Sequence, residues 1–290
     1  MLPNFRIQKE KGKMRMGVLH TQHGEIPTPA FMPVGTYGTV KAIFPRDLSD
    51  IGFRLLLANT LHLYLNPGKE IIQGVGKLHR FFGWAHSLLT DSGGFQILSM
   101  SRLTSITDEG IKFRSPRDGS IHFLTPEQVV EFQEDIGSDI LMPLDHPSPY
   151  PSSPAMEKSC MIRTVHWLKR SIKAKRNPST LLFGIIQGGM NPALRRESAE
   201  RIVQMSDALD GFAIGGFSVG EPKETTWELL SIVLEVLPPE KPRYLMGMGL
   251  PEDMEKAVRM GIDLMDCVLP TRMARNGVAF TSEGKINLKN

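Results

Sequence analysis

The chain has 290 residues, 41% hydrophobic and 22% charged, with a formal charge of +3, an ordinary balance for a globular protein with one sizeable core. No apolar run approaches the roughly 20 residues a membrane-spanning helix requires, and the start, MLPNFRIQKEKGKMRMG, lacks the apolar stretch of a signal peptide. Only Cys160 and Cys267 occur, so neither a disulfide framework nor a zinc site is expected within residues 1–290, and the chain reads as cytoplasmic.

Taken in chain order, a basic run, KEKGKMR at 9–15, comes first and reads equally as a solvated face or as a nucleic-acid patch. Short aliphatic runs of strand length follow: AFMPVGT (30–36), LLLANT (55–60) and LLTDSGG (88–94). Next comes an insertion, SITDEGIKFRSPRDGSIHFL (105–124), whose Asp-Gly turn signals predict hairpins decorating the scaffold. ILMPLD (140–145), a second basic run LKRSIKAKR (168–176), LLFGIIQGG (181–189) and GFAIGGF (211–217) continue the series. WELLSIVLEVLPP predicts a helix with Trp227, Leu230, Leu234 and Leu237 on one stripe, ended by prolines. After YLMGMG (244–249), PEDMEKAVRMG predicts a helix with acids in its first turn, Met254, Ala257 and Val258 on one face, and Gly261 at its stop. LMDCVLPT (264–271) completes the set, with Arg272 and Arg275 just beyond.

Eight buried strands alternating with helices predict an α/β fold, a (β/α)8 TIM barrel, with an open doubly wound sheet as the competing architecture. The polar residues favour the barrel. Asp91, Asp145, Gln187, Gly216, Gly249 and Asp266 sit at or just past the carboxyl ends of apolar runs, and in a closed barrel those ends meet at one mouth. A lone Asp at such a place is ordinarily a cap or turn residue. Gathered together, two carboxylates can run substitution at an anomeric carbon, one attacking and one handling the leaving group's proton. A third carboxylate beside glycine amides suits guanine, whose edge offers N–H donors next to a carbonyl oxygen, and Phe95 with Met246 can sandwich a flat ring.

TDSGGFQ, FGIIQGGM, GFAIGGFSVGEP, RYLMGMGLPED and GIDLMDCVLPTRMARNG, in that order and joined by NTLHLYLNPG and DGSIHFLTPE, closely resemble the tRNA-guanine transglycosylases, or queuine tRNA-ribosyltransferases, from about residue 15 to residue 290. The resemblance implies a single irregular (β/α)8 barrel over residues 1–290 with hairpin insertions. It also implies exchange of guanine at the wobble position of tRNAs with GUN anticodons for a 7-deazaguanine, through a covalent ribosyl-aspartate. By the same resemblance Asp266 is the nucleophile and Asp91 the general acid/base. Asp91, Ser92, Gly93, Gly94, Phe95, Asp145, Gln187, Gly216 and Met246 bind the base. Gly247, Met248, Gly249, Leu250, Pro251, Glu252 and Asp253, with Thr271, Arg272, Met273, Ala274 and Arg275, contact the tRNA anticodon stem-loop.

No cofactor is implied within residues 1–290. Complete family members carry a structural zinc after the barrel, with ligands that fall beyond Asn290, and form homodimers. Bacterial members usually follow the base-reading Asp with Glu-Cys, where this chain has His146 and Pro147. Those positions are expected to border the pocket, and preQ1 and queuine both remain open as the incoming base. Glu221 is retained and suits an aminomethyl-bearing base. His62 and His122 are read as structural hydrogen-bonders, and the Asp145-His146 pair lacks the ligand spacing of a metal site. The competing functions are a non-catalytic tRNA-binding partner subunit, which has no need of both Asp91 and Asp266, and a barrel glycosidase, which has no need of a guanine slot.

Overall fold

The computed structural model describes residues 4–100 and 104–288. An antiparallel sheet opens the chain, made of β1 (Phe5–Lys11), β2 (Met14–Thr21) and β3 (Gly24–Thr28). The strands β4 (Ala30–Met32), β5 (Leu55–Ala58) and β6 (Ser87–Thr90) begin the main sheet. The insertion then forms a second antiparallel sheet, β7 (Thr104–Ile106), β8 (Ile111–Arg114) and β9 (Ile121–Leu124), the hairpins the turn signals predict. The main sheet resumes with β10 (Ile140–Leu141), β11 (Leu181–Ile186), β12 (Gly211–Ile214), β13 (Arg243–Leu245) and β14 (Leu264–Asp266), and a hairpin of β15 (Val278–Thr281) and β16 (Gly284–Asn287) follows.

All neighbouring pairs in the eight-stranded sheet are parallel, in the order β4-β14-β13-β12-β11-β10-β6-β5. A parallel bridge between Val34 and Leu57 joins its two ends, with the Gly35 N–H donating to the Leu57 carbonyl at 2.7 Å. The sheet is therefore a closed barrel. The helices are α1 (Pro45–Ile51), α2 (Thr60–Leu65), α3 (Lys69–Gly74), α4 (Lys77–Phe82), α5 (Gly94–Met100) and α6 (Pro126–Ile136) in the first half. The second half holds α7 (Pro154–Ala174), α8 (Pro192–Val203), α9 (Lys223–Leu234), α10 (Pro251–Met260) and α11 (Leu269–Arg275).

The aliphatic runs are unbroken because both strand faces are covered. Leu55, Leu57, Leu89, Ile140, Phe183, Ile185, Ala213, Tyr244 and Leu264 form one cluster with Phe5, Leu19 and Ile26 of the opening sheet, which thus packs on the barrel interior. Their alternate neighbours Leu182, Ile186, Phe212, Ile214, Leu245 and Met265 cluster instead with helix residues such as Leu168, Ile202 and Leu230. Local signals start and stop the helices as expected. Thr125 and Gln128 form a reciprocal capping box at α6, and α10 ends on Gly261 in the left-handed region.

Three expectations need correction. The N-terminal basic run spans β1 and β2 and is exposed from Lys9 to Lys13, but Arg15 leaves that surface: it is buried in an ion pair with Asp263 while also donating to the Lys241 carbonyl at 2.7 Å. The geometry of paired strands brings Arg15 over the foot of β14, which no local pattern discloses. The helix around Trp227 ends at Leu234, so Leu237 is buried beyond it rather than on its stripe. His146 does not border the mouth; its ring faces Arg163 of α7 instead. The second basic run stays at the surface on the last turns of α7 and beyond, with Arg170 paired to Glu127 and Arg176 to Glu134.

Candidate active site

The carboxyl ends of the barrel strands enclose a cavity of about 410 Å³, within the ordinary range for small-molecule sites. Asp266, the last residue of β14, is partly exposed into it. The Tyr244 phenol donates to Asp266 Oδ1 at 2.6 Å and the Gly247 N–H donates to the same oxygen at 2.8 Å. No described residue donates to Oδ2. Burial raises the Asp266 carboxyl above the usual range, and these two hydrogen bonds oppose that rise by favouring its ionised form.

Asp91 follows β6 directly and is buried. Its Oδ1 accepts from the Thr60 N–H at 2.8 Å; its Oδ2 accepts from Asn59 Nδ2 at 2.6 Å and Gln96 Nε2 at 2.7 Å. Burial pushes its pKa up to about 6 against those three donors, and the neighbouring Asp266 charge adds to the rise. A carboxyl held there exchanges protons readily near neutral pH. The apolar strand that ends in a carboxylate therefore delivers it, clamped, beside a second one.

Asp145 lies across the same cavity, also buried and raised by burial. Ser92 Oγ donates to its Oδ1 at 2.6 Å and Gln187 Nε2 to its Oδ2 at 2.7 Å. The Gln187 Oε1 is buried without a protein partner. Gly216, with φ of +73°, lies against that oxygen, where a Cβ would collide with it. Phe95 and Met246 both line the cavity, as does Gly216. Gly93 and Gly94 do not: Gly93 passes against Leu61, and the Gly94 N–H donates to Ser92 Oγ at 3.1 Å.

The segments expected at tRNA split by orientation. Gly247 and Arg272 line the cavity and are exposed, as are Pro251, Glu252, Ala274 and Arg275, while Leu250, Thr271 and Met273 are half-buried. Met248, Gly249 and Asp253 are buried, with both Asp253 oxygens 2.8 Å from Lys223 Nζ. Pro147 lines the cavity, but His146 turns away from it into α7. There its Nδ1 faces the Arg163 guanidinium at 3.1 Å and its Nε2 faces Cys160 Sγ at 3.6 Å. Burial, helped by Arg163, lowers its pKa to about 4 and holds the ring neutral. His122 bonds Ser120 Oγ at 2.7 Å, the structural role expected of it, whereas His62 lines the cavity rim.

Tyr244, Asn59, Thr60 and Gln96 complete the carboxylate clamps and were not singled out by sequence. Asn59 had a usable signal, since it follows an aliphatic run just as Asp91 does. Among the described residues one group of side chains gathers as metal ligands can: His23, His79 and Asp139. It lies where β10 enters the barrel, far from the mouth. Asp139 bridges His23 Nδ1 at 2.6 Å and His79 Nε2 at 3.0 Å, and the two rings stack 3.5 Å apart. Through these two contacts Asp139, just before β10, ties His23 of the β2–β3 turn to His79 of α4.

The sequence matches the family described as Queuine tRNA-ribosyltransferase over residues 10–290. It is 52% identical over 282 residues to a queuine tRNA-ribosyltransferase of Caldanaerobacter subterraneus subsp. tengcongensis, covering 97% of this chain and 75% of that relative. Similar proteins of the same name occur in Thermoanaerobacter sp., 51% identical over 97% of this chain and 76% of the relative, and in Aquifex aeolicus, 47% identical over 98% and 78%. No helix among the described residues is long and apolar enough to cross a membrane.

Proposed function

The chain belongs to the queuine tRNA-ribosyltransferase family, and from that premise we propose that its barrel mouth exchanges a tRNA base by two displacements at one ribose carbon. The protein is a pentosyltransferase, a tRNA-guanine transglycosylase of queuosine biosynthesis. The observation that carries the assignment of roles is the asymmetry of Asp266. Both of its donors converge on Oδ1, leaving Oδ2 bare at the cavity.

In the first displacement Oδ2 attacks C1′, the C1′–N9 bond breaks, and its electron pair leaves with guanine. Asp91, poised near neutrality, supplies the proton that N9 takes up. In the second, N9 of the incoming base attacks C1′, the C1′–Oδ2 bond breaks, and the N9 proton passes back to Asp91. Two inversions restore the configuration at C1′. No external energy source is needed, because one glycosidic bond replaces another.

Asp145 accepts from the N–H edge of guanine, and the Gly216 N–H donates to its carbonyl oxygen, with Phe95 and Met246 against the ring faces. The extruded base enters this slot while basic residues around the mouth hold the anticodon stem-loop by its phosphates, Arg272 and Arg275 among them. The incoming base is the aminomethyl-bearing 7-deazaguanine. The Ser218 N–H donates to Glu221 Oε1 at 2.7 Å. Its peptide is trans, so the Phe217 carbonyl points the opposite way. Phe217 and Ser218 line the cavity and Glu221 does not, which supports a carbonyl offered to an ammonium group.

The test is exchange of labelled guanine into a guanine-at-wobble tRNA. Incorporation by the parent that is abolished in Asp266→Ala supports the reading; exchange at the parent rate by that variant overturns it.

A further inference from the structure

Arg195, on α8, is fully buried. No carboxylate pairs with it within ion-pair distance among the described residues. Its guanidinium donates instead to backbone carbonyls: Gly189 at 2.8 Å, Gly215 at 2.6 Å, and Ile186 and Gly216 each at 3.3 Å. The Phe217 ring lies 4.0 Å from the guanidinium carbon. These acceptors flank Gln187 on the β11 loop and Gly216 on the β12 loop, the two loops that read the base.

A buried cation satisfied only by carbonyls fixes the direction of each peptide it holds. The Gly215 carbonyl is turned toward Arg195, and in a trans peptide the Gly216 N–H points the other way. Gly216 lines the cavity, and its N–H has no acceptor among the described residues. A charged donor on the Gly215 oxygen also polarises that peptide and strengthens its N–H as a donor. We propose that Arg195 is the positioning residue that aims and polarises the Gly216 amide at the carbonyl oxygen of the bound base, making this amide a reader of guanine. The planar fork is essential: a lysine ammonium reaches these carbonyls only as a point charge.

The proposal rests on the base-exchange reading, and the experiment separates the two. Fluorescent 2-aminopurine, which lacks the carbonyl oxygen, is titrated into the parent, Arg195→Lys and Arg195→Met, and guanine is then measured by displacement, with thermal melting as the check on folding. Arg195→Lys keeps the charge and carries the test if Arg195→Met does not fold. In either folded variant guanine should bind about tenfold more weakly, the scale of one well-aimed hydrogen bond, while 2-aminopurine changes by less than about twofold. An equal loss for both bases shows a merely structural Arg195 and overturns the proposal, as does no loss for guanine. A parent that binds neither base refutes the base-pocket reading itself.

Discussion

Tyr244 and Asp266 stand on adjacent barrel strands, and the phenol donates to Oδ1 of the carboxylate at 2.6 Å. The bond favours the ionised carboxylate against the rise that burial causes, and it leaves the other oxygen bare at the cavity. Burial alone pushes the Asp266 carboxyl up; the phenol pulls it back down. Removing the hydroxyl therefore raises the pKa. Tyr244→Phe should slow exchange by about ten- to a hundredfold at neutral pH, the range for a hydrogen bond to a charged group. The acid limb of its pH–rate profile should move to higher pH. An unshifted limb would remove the phenol from the mechanism.

The first displacement needs Asp91 protonated, and its pKa lies at about 6. For formation of the covalent adduct, kcat/KM should fall as pH rises beyond that value, since the profile reports ionisations of the free enzyme. Asp91→Asn should lose this alkaline limb and react about 10² to 10⁴-fold more slowly, the usual contribution of a general acid. Stopped-time assays of adduct formation from pH 5 to 9 would decide.

Much of the site was legible because barrel topology turns sequence position into place. A polar residue at the end of an aliphatic run must emerge at one rim, so Asp91, Asp145 and Asp266 could be gathered without coordinates. Tyr244 could not. It sits inside an aliphatic run, and only the strand register decides whether its hydroxyl meets solvent, core or Asp266. Arg195 was hidden for a related reason: in PALRRESAERIV it is one of three arginines on a helix, and nothing local shows it buried while Arg196 is exposed. The opening sheet was obscured by its lysines, which occupy its outward positions while Phe5, Leu19 and Ile26 face the barrel.

Phosphate contacts weaken with salt in proportion to the counterions released. Arg272→Ala and Arg275→Ala should each weaken tRNA binding and flatten the slope of log K against log salt by about 1. Arg275→Ala should leave guanine binding untouched, because Arg275 does not line the cavity. Filter binding at several salt concentrations gives the slope. Full retention of the slope in both variants would place the RNA elsewhere.

Arg15 joins the opening sheet to the barrel through Asp263, and both side chains are buried. Losing one partner leaves the other charge buried and unpaired, at a cost of about 3–5 kcal/mol. Arg15→Ala should show that loss in urea denaturation, whereas Arg196→Ala, from a pair with Glu235 that is exposed on both sides, should cost about 1 kcal/mol or less. Equal losses would contradict the burial contrast.

The most direct measurement is to incubate the protein with a wobble-guanine stem-loop RNA, quench under denaturing conditions, and map any protein–RNA adduct by mass spectrometry of the digested peptides. The bare Oδ2 of Asp266 requires a covalent ribosyl linkage on that residue alone, present in the parent, dispersed by added guanine, and missing from Asp266→Asn. An adduct mapped to Asp91 or Asp145, or one that persists in Asp266→Asn, would contradict the assignment.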